Sequence, residues 1–80
     1  MKYELRNTVI SSERTTLDEN GEPTDNYEVT ITLALYPVDT FIPPFSKDII
    51  VVSNNSMTGH QVDVQRNQEI QTFLNSINNG

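Results

Sequence analysis

Between Tyr27 and Leu35 the chain alternates: Tyr27, Val29, Ile31, Leu33 and Leu35 are apolar, and Glu28, Thr30 and Thr32 fall between them. Side chains alternate faces along a strand, so this spacing predicts a strand with one buried and one wetted face. Most of its residues are β-branched or aromatic, types that fit a pleated, half-buried surface. Residues 2–17 predict a partner strand. Tyr3, Leu5 and Val9 share one parity, Ile10 breaks it, and a bulge near Thr8 to Ile10 would restore the inward face. The distal part, Ser11 to Thr16, offers good β residues without an apolar face and predicts a solvent-exposed arm. Residues 18–26 are punctuation: Asn20-Gly21 suits a turn with positive φ, and Pro23 is expected to stop strand pairing. The pattern predicts a long β-hairpin of strands 2–17 and 27–38.

Pro37 frays the second strand, and Asp39 to Ser46 follows as a connection in which Pro43-Pro44 forbids regular structure. The same connection carries Phe41, Ile42 and Phe45, and is expected to fold down over an open part of the sheet. A third strand is predicted over 47–53. Its run Ile49-Ile50-Val51-Val52 is apolar on both parities, which predicts burial on both faces, the second under the 41–45 loop or under another subunit.

Ile70, Phe73, Leu74 and Ile77 follow helical spacing. Two helix starts compete. Thr58 with Gln61 forms a capping-box pattern, flanked by Met57 and Val62 at staple positions. That start turns Val64 away from the apolar stripe and puts Gly59 in the first turn. Asp63 as N-cap avoids both, so a helix over about 63–78 is expected. The fold class is α+β: a three-stranded antiparallel meander with one C-terminal amphipathic helix packed on one face (β-β-β-α), a single domain spanning 1–80.

At 80 residues a chain buries only about 60–65% of the surface it exposes when unfolded, so stability is thin. With no cysteine, disulfide and Cys-based zinc supports are absent and packing or self-association must suffice. The N-terminal segment has no apolar h-region, so no secretory signal is expected. The longest apolar runs, four residues, fall far short of the roughly 20 that span a bilayer. The expected setting is cytoplasmic or an intracellularly assembled particle.

Formal net charge is −6, from 11 acidic and 5 basic residues, and the excess is concentrated. Residues 18–28 hold Asp18, Glu19, Glu22, Asp25 and Glu28 with no base. Without clustered Lys and Arg, neither nucleic acid nor an anionic membrane is an expected partner. The acidic segment could bind calcium, but the EF-hand pattern needs acids at alternate positions with glycine sixth, and Gly21 stands fourth after Asp18. It could face a basic protein instead, or serve only as a solvated tip. His60, the single histidine, has Ser53 and Ser56 near it in sequence, but no strained nucleophile elbow, phosphate cradle or metal-ligand set accompanies it. A solvated loop histidine is the simpler account. No enzyme activity and no cofactor are expected.

The predicted helix has a polar side dominated by amides: Gln65, Asn67, Gln68, Gln71, Asn75 and Asn78, with Arg66 and Glu69 charged. An uncharged face of this kind can enter an interface without stranding a charge. In size and composition the chain is similar to small phage or bacterial accessory proteins, though no motif carries that likeness. The expected function is a non-catalytic protein acting by protein–protein contact, a structural or assembly module. The alternative is an acidic inhibitor or regulator docking through the 18–28 tip. Candidate contact residues are Asp18, Glu19, Glu22, Asp25, Glu28, Phe41, Ile42 and Phe45, with a protein partner or a second copy as occupant.

Overall fold

The computed structural model describes residues 2–38, 41 and 43–79. Ile42, one of the three apolar loop residues singled out above, lies outside the described residues. Strands β1 (Lys2–Leu17), β2 (Pro23–Val38) and β3 (Phe45–Asn54) are followed by helix α1 (Gly59–Asn79). The sheet is antiparallel in the order β1-β2-β3, so β2 is central and both neighbours are edges. The β-β-β-α architecture expected from the pattern is the one observed.

The hairpin closes around Asp18. Its carbonyl accepts the Gly21 N–H at 3.0 Å and its N–H donates to the Glu22 carbonyl at 2.8 Å. Its carboxylate accepts the N–H groups of Asn20 and Glu22, both at 2.9 Å. Gly21 takes a φ of 78°, a left-handed conformation that glycine enters without steric cost. Contrary to expectation, Pro23 does not stop pairing: β2 begins there, with Pro23 opposite Leu17. The first residue of a strand is a place where a missing N–H is tolerated.

Pro37, in the central strand, is tolerated for a related reason. The Asn55 N–H donates to the Asp25 carbonyl at 2.8 Å, and β2 residues pair with β3 in unbroken register from Asn26 opposite Asn54 to Leu35 opposite Phe45. Hydrogen-bonded pairs alternate along such a ladder, so odd-numbered β2 residues direct their backbone groups toward β3. Pro37 would do so as well, but β3 has ended at Phe45, and Pro43-Pro44 stands where it would continue. The missing donor falls beyond the last rung.

The inner face of β2 (Val29, Ile31, Leu33 and Leu35) forms the core with Val51 of β3 and Ile70 of α1. Leu5, Tyr27, Ile49, Phe73, Leu74 and Ile77 pack against it, half-buried. The helical stripe is thus the predicted one. The bulge is not where the parity break suggested. Register shifts fall between Leu5 and Asn7, between Ile10 and Ser12, and between Thr15 and Leu17. The first two leave Arg6 and Ser11 as extra residues, so inward parity switches from Tyr3 and Leu5 to Thr8 and Ile10, then to Glu13 and Thr15. A single bulge would restore Ile10; the second returns the arm to the parity that pairs Arg14 with Glu28.

The helix starts at Thr58, not Asp63. The Thr58 N–H donates to Gln61 Oε1 at 2.9 Å and the Gln61 N–H to Thr58 Oγ1 at 3.2 Å, a complete capping box. Two donors satisfied reciprocally, and Val62 buried, outweigh the drawbacks that favoured Asp63. Val64 does point away, 41% exposed. From there α1 runs back across the sheet, from the C-terminal end of β3, where Gln65 bonds Ser53, to the N-terminal end of β1, where Asn78 bonds Tyr3.

Candidate interaction surfaces

The two-sided burial expected of β3 does not occur among the described residues. Val51 is buried and Ile49 half-buried on the helix side, whereas Ile50 and Val52 are 61% and 48% exposed on the other. One helix covers one face. Of the described residues in the 41–45 segment, neither aromatic covers the second face: Phe41 is fully exposed, and Phe45 belongs to β3. The Phe45 ring instead meets Tyr3 edge to face at 5.4 Å, on the helix side, since Phe45 stands opposite the core residue Leu35.

The uncovered outer face can be read from the pairing. Across the sheet it carries Arg14, Glu28 and Val52; then Ser12, Thr30 and Ile50; then Val9, Thr32 and Asp48. Val9 is 53% exposed and stands diagonally from Ile50. Charges on this face are matched. Arg14 Nε meets Glu28 Oε1 at 2.8 Å and Arg6 meets Glu4 at 2.8 Å. The Arg6 guanidinium also lies 5.3 Å from the Tyr36 ring centroid. Thr32 Oγ1 donates to the Asp48 carboxylate at 2.7 Å. With Lys2 in the same parity as Glu4, the face holds three bases and three acids among the described residues. The negative excess lies elsewhere.

Much of that excess is at the hairpin tip, where Asp18, Glu19, Glu22 and Asp25 are all exposed. Asp18 is committed to the turn. Glu28, grouped with them by sequence, is separated from them by its pair with Arg14 on the outer face. No three acidic or histidine side chains converge as a metal-ligand group among the described residues. His60 is not in a loop but exposed in the first turn of α1. The Ser53 hydroxyl donates to Gln65 Oε1 at 2.6 Å and that of Ser56 to Asn54 Oδ1 at 2.5 Å.

Two clefts open on the helix side. One of about 420 Å³ is lined by Tyr3, Leu35, Phe45, Phe73 and Ile77 together with Lys47 and Ser76. Another lies between Ile10, Ile31 and Ile70 and the helix residues Asp63 and Arg66. Arg66 Nε is buried without a hydrogen-bond partner among the described residues. No described helix is long and apolar enough to cross a membrane. No family model matches the chain, and no significant match was found among curated proteins or solved structures.

The shape bears on all these surfaces. The molecule measures 48 × 25 × 21 Å with a radius of gyration of 15.0 Å, against about 12 Å for a compact chain of this length. Its accessible surface is 5691 Å². A monomer of 9.1 kDa is expected to expose about 4,900 Å². The excess, about 800 Å², goes with the elongated shape.

Proposed function

We propose that this chain is a non-catalytic structural or assembly module that acts by protein–protein contact, and that it associates with a second copy of itself through the outer face of the sheet. The observation that carries this reading is the outer face itself, with Val9, Ile50 and Val52 exposed on the side of the sheet away from the helix. Fully burying an exposed aliphatic side chain of this size contributes about 1.5–3 kcal/mol; these three are already about half covered within the chain, so each has roughly half of that left to contribute. The matched charges leave the face without net charge, so it adds no net repulsion between two copies.

The test is sedimentation of the parent chain at tens of micromolar beside Ile50→Lys and Ile49→Lys variants. The reading expects an associated parent, a folded and smaller Ile50→Lys protein, and a destabilised Ile49→Lys protein, because Ile49 faces the helix. A parent that is monomeric up to hundreds of micromolar sinks it.

A second reading, docking of a basic protein on the acidic tip, is favoured by the free carboxylates of Glu19, Glu22 and Asp25, none of which forms an ion pair among the described residues. A triple variant, Glu19→Gln, Glu22→Gln and Asp25→Asn, used as bait against the native host's proteins, would lose a salt-sensitive partner that the parent retains.

A further inference from the structure

Both edges of the sheet meet amide side chains from the helix. On β1, the Tyr3 N–H donates to Asn78 Oδ1 at 2.8 Å, and Asn78 Nδ2 donates to the Tyr3 carbonyl at 3.4 Å. One side-chain amide thus meets both backbone groups of one residue, as a neighbouring strand would. Those groups point to the free edge: Tyr3 lies opposite Pro37, whose backbone faces the β3 side. On β3, the even-numbered residues face the free edge by the same alternation. There Gln65 Nε2 donates to the Val52 carbonyl at 2.7 Å. The Asn54 N–H meets Met57 Sδ at 3.4 Å and the Asn54 carbonyl accepts the Met57 N–H at 3.0 Å.

We infer that Asn78 is an edge latch: its amide occupies the free edge of β1 and keeps a strand of a second copy from pairing there, with Gln65 and Met57 closing the C-terminal part of the β3 edge. Exposed strand edges are templates for pairing with another chain, and proteins blunt them with charge, proline, bulges or cover. Here the free edge of β1 is long, and the bulges at Arg6 and Ser11 already break its middle. The bulges divide it into three regular stretches of four residues, 2–5, 7–10 and 12–15, and Asn78 sits on the first of them. Part of the helix's amide-rich side therefore has a role that charged residues would fill poorly: donating and accepting at once.

Asn78 lies in the last turn of the helix, away from the core residues, so its replacement leaves the fold in place. Gln65 is less suited, because it also satisfies the buried Ser53 hydroxyl. The experiment compares Asn78→Ala and Asn78→Asp in the Ile50→Lys background with Ile50→Lys alone, reading amide hydrogen exchange and sedimentation up to hundreds of micromolar. Expected is at least tenfold faster exchange of the Tyr3 amide in Asn78→Ala, unchanged exchange at Ile31, and association beyond that of the background. Asn78→Asp keeps the acceptor for the Tyr3 N–H and adds an edge charge, so it retains protection and does not associate further. A Tyr3 amide that exchanges at the background rate in Asn78→Ala, or sedimentation identical to the background, overturns the inference. Failure of Ile50→Lys to reduce the parent's size would count against the outer-face reading alone, since the latch is read as a difference from that background.

Discussion

Single residues decide where elements begin and turn, and two of them separate rival accounts. Thr58 completes a capping box with Gln61, and loss of such a cap costs about 0.5–2 kcal/mol. Thr58→Ala should lower the urea midpoint accordingly, while Asp63→Ala, exposed within the second helical turn, should move it little. The reverse ranking would restore the later start. Asp18 differs from its acidic neighbours in the same way. Its carboxylate holds two backbone N–H groups of the turn, so Asp18→Ala should cost about 1 kcal/mol. Neutralising Glu19, Glu22 and Asp25 should stay within about ±0.5 kcal/mol.

At the level of elements, the helix supplies a stripe rather than the centre of the core. Leu33 is fully buried in the central strand, whereas Phe73 is half-buried at the helix–sheet boundary beside an open cleft. Leu33→Ala should cost about 2–5 kcal/mol, and Phe73→Ala should fall below the 3–5 kcal/mol typical of a fully buried phenylalanine. Chemical denaturation of the two variants checks the order. The alternation in β2 and the i, i+3, i+4, i+7 stripe of α1 were legible because each repeats along the element that carries it. The bulges were not. Ile10 signals a parity break near the first, but Ser11 looks like an ordinary arm residue, and only the partner strand's register makes it extra.

The whole molecule is elongated, with much of its acidity gathered at one end and Val9, Ile50 and Val52 exposed on the outer face of the sheet. Because that face carries matched charges while the rest of the chain holds the net −6, salt should act mainly on the general repulsion between copies. Self-association should therefore strengthen modestly between about 20 and 300 mM salt, as screening shortens from roughly 20 Å to under 10 Å. Binding of a basic partner to the tip would weaken over the same range. Light scattering across a salt series distinguishes the two, and association that collapses with salt would contradict the outer-face contact.

Periodicity and turn chemistry alone determined the strands, the hairpin, the helix and the α+β class, because these rest on local side-chain spacing and on what Gly and Pro permit. The acidic tip was visible for the same reason. Tertiary structure decided which parity of Ile49-Ile50-Val51-Val52 is covered, since an apolar run reports a preference for burial but not the number of layers available to satisfy it. It also decided that Glu28 belongs with Arg14 rather than with the tip, and that Pro37 falls past the last rung of β3. The amides of Gln65 and Asn78 were legible as an uncharged helix face. Their partners, the free-edge carbonyl of Val52 and both backbone groups of Tyr3, lie 13 and 75 residues away along the chain, and only the packing of the helix across the sheet brings them together.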